Sequence, residues 1–350
     1  MHRDKNMELK KRFIRHFKHA LCISLGTLCL SITHATQPLN TKKDSNVVLQ
    51  SYLIQERNAA NLVSKSIRVG DITWTYNEGG LKSKPTVVLI HGLAGNRDNW
   101  NRVASYLTQD YHVIIPDLPT IRDTLTPHNF DISIPNMSFQ LRQFAEALDI
   151  ENNLNIAGHS LGGSIATVYA AQYPFDTQSL FLLSSAGIYK HANTPYAKDP
   201  KNLKSLLVSK PGDFDTVLQK LMETPPSVPN DLKIAQEKAL ISQSPKTRQA
   251  IDQIIKLNRI YTPDTFARLT QNVEAPTLIL WGKKDQIINY QVAEELQALF
   301  KRAEKPVILN NVGHMPIIEA EKLVAQHYLP FLSKTQHLKN PLADKLIPLN

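Results

Sequence analysis

The chain holds 350 residues, with 40 Lys plus Arg against 31 Asp plus Glu and a formal charge of +9. Hydrophobic residues at 42% and charged residues at 20% exclude a disordered chain, a collagen-like repeat and a coiled coil. Two cysteines cannot build a disulfide scaffold or a four-Cys zinc site, and the length suits one large domain or two ordinary ones.

Residues 1–19 carry Arg3, Lys5, Lys10, Lys11, Arg12, Arg15 and Lys18 against Asp4 and Glu8. An uncharged, mostly apolar run follows at 20–32, too short for the roughly 20 residues of a membrane span. It fits a signal-peptide core behind a basic leader. Thr33-His34-Ala35 then offers small residues before a cut expected near Ala35, and Met7 offers a second start. Residues 1–35 thus read as a signal peptide and the protein as exported, periplasmic or secreted. The competing reading is an uncleaved membrane anchor, because the uncharged stretch continues to Thr41. Cys29 does not suit a lipoprotein, since Leu28 stands where a small residue is expected. Cys22 and Cys29 both lie in this segment, so the mature chain would hold no cysteine. The leader also carries much of the charge: from Thr36 onward 33 basic residues face 29 acidic ones, and a nucleic-acid partner is not expected.

Residues 36–64 read as a polar lead-in with one short amphipathic stretch. Residues 66–69 and 72–76 read as short strands around a Gly70-Asp71 turn. The pattern then changes. Residues 86–90, 112–115, 154–157, 179–183, 277–281 and 307–309 are apolar runs expected of strands buried on both faces. Residues 98–107, 138–148, 161–172, 290–300 and 320–332 alternate with them as helices. That alternation implies an α/β fold with a mostly parallel sheet and helices on both faces, its core spanning 65–186 and 273–332. Residues 187–272 interrupt it as a helical insertion, a cap. There, Asp199-Pro200, Ser244-Pro245 and Thr262-Pro263 each set a capping side chain before a Pro, and Asp215 and Asp231 are further expected caps. The tail 333–350 carries Pro341 and Pro348 and is expected to be loosely held.

The sharpest chemical signal is Gly158-His159-Ser160-Leu161-Gly162, between an expected strand and an expected helix. That is the setting of a nucleophile elbow, where the strained turn needs small flanking residues. A serine hydroxyl is a poor nucleophile and needs a base, itself oriented by a carboxylate. His314, in the loop between the last strand and the last helix, falls on the same sheet edge as the elbow. Asp285 lies just past the preceding strand. The order Ser160, Asp285, His314 is that of the α/β-hydrolase fold. The strand after the nucleophile helix ends Leu183-Ser184-Ser185 and offers no acid. Asp117 is expected to structure a loop, His159 to pack, and Glu319 to cap the final helix. Main-chain N–H groups of Leu161 and Leu93, the latter in His91-Gly92-Leu93-Ala94-Gly95, are the expected donors to a developing oxyanion. No cofactor and no metal is expected, since no His-Cys or His-acid cluster has ligand spacing.

These segments resemble the α/β-hydrolase superfamily across residues 66–332. More closely, they resemble the secreted cold-adapted lipases and esterases of the Moraxella and Psychrobacter type. The likeness rests on LIHGLAGNRDNW (89–100), HVIIPDL (112–118), GHSLGG (158–163), LILWGKKDQII (278–288) and VGHMPIIEA (312–320). The resemblance implies cofactor-free hydrolysis of carboxylic esters under a helical cap, on acylglycerols or short to medium acyl esters. Transient contact of the cap with a lipid surface goes with that reading. One departure stands out: Asp117-Leu118 runs into Pro119-Thr120-Ile121-Arg122-Asp123, where relatives carry a glycine-rich loop. The glycine-free loop 119–127 borders the expected pocket and bears on substrate size. A carbon–carbon hydrolase or a peptidase-like enzyme would use the same triad. An exported binding module without activity would have no need of one.

Overall fold

Successive side chains on a strand point to opposite faces, so an unbroken apolar strand needs cover on both sides. The computed structural model, which describes residues 44–121, 123–257 and 261–338, supplies that cover. In chain order the elements of its first half are α1 (Ser45–Ala59), β1 (Leu62–Val69), β2 (Ile72–Gly79), β3 (Thr86–Ile90), α2 (Asn101–Leu107), β4 (His112–Pro116), α3 (Ile134–Ala147), β5 (Leu154–His159), α4 (Leu161–Gln172) and β6 (Thr177–Leu183). There follow α5 (Pro195–Lys198), α6 (Asp213–Leu221), α7 (Asn230–Leu257), α8 (Pro263–Thr270), β7 (Thr277–Gly282), α9 (Val292–Leu299), β8 (Val307–Leu309), α10 (Pro316–Glu319) and α11 (Glu321–Thr335).

The strands form one eight-stranded sheet in the order β1-β2-β4-β3-β5-β6-β7-β8. β1–β2 and β2–β4 pair antiparallel and the other five pairs are parallel. Val88 and Ile90 of β3 enter one core with Phe144 of α3, Ile165 and Tyr169 of α4 and Leu296 of α9. Val87 and Leu89 enter the other, with Val103 and Leu107 of α2 and Val324 and Tyr328 of α11. Each such side chain taken from water contributes about 1.5–3 kcal/mol, so this two-sided burial is the leading stabilising term. All eight expected strands occur, as does the two-layered helical cover.

Several boundaries differ from the sequence reading. The expected helix at 98–107 opens as a 3-10 turn, Arg97–Trp100, capped by Asn96. Thr262 and Asp199 cap as expected. Ser244 does not: Pro245 lies inside the single helix α7. Packing overrides the Pro there, because Leu232 and Ala235 bury against Leu49 of α1 while Ala250 buries in the sheet core. Asp215 and Asp231 sit in the first turns of α6 and α7, and Gly212 holds the N-cap of α6. The C-terminal helix runs to Thr335, and Gln178 Nε2 donates to the carbonyls of Thr335 and Leu338. The expected leader and its cleavage point, and residues 339–350, lie outside the described residues. Among the described residues no helix is long and apolar enough to cross a membrane.

Within the lead-in, the helix α1 is anchored by polar contacts at both ends. Asp44 caps α1, and Arg57 near its end reaches Asp98 with two hydrogen bonds of 2.7 and 2.6 Å. Burial works against ionisation of Asp98, but the hydrogen bond and charge of Arg57 outweigh it and hold the carboxyl below its usual range. Removing one partner of such a buried pair is costly. Arg57→Ala should therefore lower the unfolding free energy by roughly 3 kcal/mol, read from urea denaturation. A loss under about 0.5 kcal/mol would mean that the pair behaves as a surface bridge.

Candidate active site

The parallel strands β3, β5, β6, β7 and β8 all end on the same edge of the sheet, and every expected site residue follows one of those ends. Ser160 links β5 to α4 with φ 52° and ψ −119°. A non-glycine residue there costs about 1–3 kcal/mol, so its surroundings must hold it. Its N–H donates to Leu183 O at 3.1 Å, and its carbonyl accepts from Gly163 at 2.9 Å and Ala186 at 2.9 Å. Space decides the flanking glycines. A Cβ on Gly158 would lie 2.3 Å from Gly162 O, and one on Gly162 would lie 2.3 Å from Ile90 O.

Three side chains from three loops meet in line. Ser160 Oγ lies 3.0 Å from His314 Nε2, and His314 Nδ1 lies 2.8 Å from Asp285 Oδ2. An ionised carboxylate can only accept, so Nδ1 carries the proton and Nε2 is left to accept from the serine hydroxyl. Asp285 is held in turn. Its Oδ1 accepts from the N–H groups of Ile287 and Ile288 at 2.8 and 2.9 Å, and its Oδ2 from Trp281 Nε1 at 3.1 Å. The side chains of Asp285 and His314 are buried at 0% and 4% exposure, which strengthens each of these contacts.

His159 does more than pack. Its Nε2–H donates to the carbonyl of His314 at 2.7 Å, and the two rings lie 5.1 Å apart. The other end of the His314 backbone is tied to the insertion, where its N–H donates to Leu221 O at 2.7 Å. His91 accepts at Nε2 from Leu118 N–H at 2.9 Å and donates from Nδ1 to Gly92 O at 2.8 Å. It thereby fixes the loop that carries Leu93. Leu161 opens α4 and Leu93 packs against the sheet core; a Cβ on Gly92 between them would lie 3.1 Å from Ser160 Cβ.

The rivals take structural places. Asp117 is fully buried, accepts from Arg97 N–H at 2.6 Å and contacts the Arg97 guanidinium. Its loop is braced on both sides. Thr124 Oγ1 donates to Asp117 O, Leu125 pairs with Thr73 of β2, and Lys246 Nζ of α7 donates to Ile121 O and Thr124 O. These bonds hold the glycine-free segment without a positive φ among its described residues. Glu319 does not cap the final helix. Its carboxylate accepts from Gly313, Glu223 and Thr224 N–H groups, because it lies at the end of α10 where it faces the His314 loop. No pattern in the sequence signals those backbone partners.

The family model for the alpha/beta hydrolase fold matches residues 85–321. The chain belongs to the alpha/beta hydrolase fold family. It is 31% identical to lipase 1 of Psychrobacter immobilis over 288 residues, covering 81% of this chain and 88% of the relative. A solved candidate lipase of Acinetobacter baumannii AYE is 58% identical with a TM-score of 0.82, covering 86% of this chain and 99% of that one. A solved membrane phospholipase A, described as a bacterial virulence factor, is 32% identical with a TM-score of 0.78, covering 84% and 93%. This hydrolase acts on carboxylic esters.

Two histidines of the hydrolase carry a pH signature. Burial lowers the pKa of His159 to about 3, helped by the nearby His314, and lowers that of His91 to about 4. The unfolded chain protonates both near pH 6.5, so between about pH 6.5 and 4 it binds more protons than the folded chain. Stability is therefore full above about pH 6.5 and falls on acidification, by up to roughly 1.4 kcal/mol per pH unit per histidine. Urea midpoints should drop from about pH 7 to 5, and His159→Asn should flatten that slope by the share of one proton. An identical slope in the variant would contradict a neutral, buried His159.

Proposed function

We propose that this ester hydrolase is exported and cleaves acylglycerols or other short to medium acyl esters through Ser160, His314 and Asp285. The observation that carries the reading is the continuous line from Ser160 Oγ to His314 at 3.0 Å and on to Asp285 at 2.8 Å, seated on a strained elbow. Ser160 Oγ attacks the ester carbonyl while His314 Nε2 takes its proton. The tetrahedral intermediate collapses, His314 returns that proton to the leaving alcohol, and the acyl group stays on Ser160. Water, deprotonated by His314, attacks the acyl-enzyme and releases the acid. Asp285 holds His314 in the tautomer this needs and stabilises its charged form.

The N–H groups of Leu161 and Leu93 are assigned to the oxyanion. The first N–H groups of a helix have no partner within it, and Leu161 is the first residue of α4. The similarity to lipase 1 of Psychrobacter immobilis and to a membrane phospholipase A supports a lipid ester substrate. Transient contact between the cap and a lipid surface goes with that substrate class; Ile234 and Tyr261 are exposed large side chains of the insertion. The basic, then apolar N-terminal sequence supports export.

Ser160→Ala should lower kcat on p-nitrophenyl butyrate by about 10^6-fold and abolish labelling by a fluorophosphonate probe. Asp285→Asn should lower kcat by about 10^4-fold while leaving the fold intact. A folded Ser160→Ala protein with full activity would overturn the assignment. Rates across p-nitrophenyl esters of rising chain length, a monoacylglycerol and a phospholipid then fix the substrate. Mass spectrometry of the exported protein should find Thr36 as its first residue, whereas an intact chain in the membrane fraction would favour the anchor.

A further inference from the structure

A carboxylate that accepts only main-chain N–H groups, from two separate parts of the chain, acts as a clamp between them. Glu319 does this at the edge of the site. Its Oε1 accepts from Gly313 N–H at 3.0 Å, and Oε2 shares that donor at 3.2 Å. The same Oε2 accepts from Glu223 N–H at 2.8 Å and Thr224 N–H at 3.1 Å. Gly313 directly precedes His314, whereas Glu223 and Thr224 follow α6 in the insertion. Among the described residues, none of the ion pairs involves Glu319, so these N–H dipoles are what answers its charge.

The two segments are pressed together main chain to main chain. His314 N–H donates to Leu221 O at 2.7 Å. A Cβ on Gly313 would lie 2.8 Å from Leu221 O and 2.9 Å from Glu223 N, so no larger residue fits there. The His314 loop thus leans on the cap at two successive residues, and Glu319 closes the bracket from the far side. On the strand side, the loop is held by Lys284 N–H to Val312 O at 2.9 Å. Gly282 of β7 packs against it there, since a Cβ on Gly282 would lie 2.0 Å from Gly313 O, but among the described residues the N–H groups of Gly313 and His314 bond only to Glu319 and Leu221.

We propose that Glu319 is a positioning residue: its carboxylate couples the cap segment 221–224 to His314, so that the base is fully aligned with Ser160 only while that segment is seated. The proposal rests on the Ser160–His314–Asp285 reading. It makes the cap part of the catalytic geometry as well as a cover for the pocket. Misplacement of a catalytic group by about 1 Å costs about 100-fold, which sets the scale of the effect.

Glu319→Gln tests this, because the amide keeps the size but has one acceptor oxygen and turns an NH2 toward main-chain donors. Its kcat on p-nitrophenyl butyrate should fall about 10- to 100-fold, with KM within about twofold and fluorophosphonate labelling slowed in parallel. Hydrogen exchange should quicken at residues 221–224 and at 313–314 together. The far-downfield NMR signal of the His314 Nδ1 proton should broaden, while methyl signals of the sheet core stay put. A residue of structural importance alone would lower the melting temperature and leave kcat per labelled site unchanged, which overturns the proposal. Glu319→Asp keeps the charge on a shorter arm and should give an intermediate kcat; should the Gln variant fail to fold, wild-type kcat in the folded Asp variant likewise overturns it. Absence of labelling in the wild-type protein would instead remove the triad reading, and the two failures are thereby distinct.

Discussion

Ser160 stands where an ordinary side chain prefers not to be, at a positive φ between a buried strand and a buried helix. Everything around it serves to hold that turn. The glycines at 158 and 162 let α4 and the end of β3 approach to distances that any Cβ would block. Hydrogen bonds from Gly163 and Ala186 and to Leu183 secure the peptide on both sides. The strain is affordable because β5 is a central strand, paired on both edges and covered on both faces. An edge strand would relax and the proposed nucleophile would lose its aim.

Burial then sets the chemistry of the surroundings. His91 and His159 are kept neutral because the apolar interior opposes their charge; His91 hydrogen-bonds through both ring nitrogens and His159 through Nε2. His91 holds the loop that carries Leu93, and His159 holds the carbonyl of His314. The position between glycine and serine in the elbow is thus occupied by a residue that orients its neighbour. A phenylalanine there would fill the space and leave the His314 carbonyl without its donor.

Much of this was legible in the sequence. The strands announced themselves as apolar runs because two-sided burial leaves no room for polar positions. The elbow and the order Ser160, Asp285, His314 followed from which strand ends those residues succeed. Helix starts were legible where a side chain caps its own turn, as at Thr262, and misleading at Ser244, where contacts distant in sequence keep Pro245 inside α7. The role of Glu319 was invisible for the same reason: its partners are main-chain N–H groups from residues 223, 224 and 313, and a backbone amide has no identity in a sequence. Arg57 and Asp98 are 41 positions apart, and nothing local marks them as a pair.

The insertion between β6 and β7 is therefore more than a roof. Three of its contacts with the sheet domain differ in chemistry. Apolar side chains of α7 bury against α1 and the core. Lys246 reaches two carbonyls of the glycine-free loop, and its burial lowers the pKa of its ammonium. Leu221 to Thr224 offer only backbone groups, which meet the His314 N–H and the Glu319 carboxylate. The first is indifferent to direction and tolerates sliding, while the other two require one register. A cap free to move about the apolar contact would have to break the polar ones first, and one of those bears on the loop of the proposed base. With Glu319 in the proposed role, moving the cap and disarming the base would be the same event, and a site opened to water would not be a fully armed one.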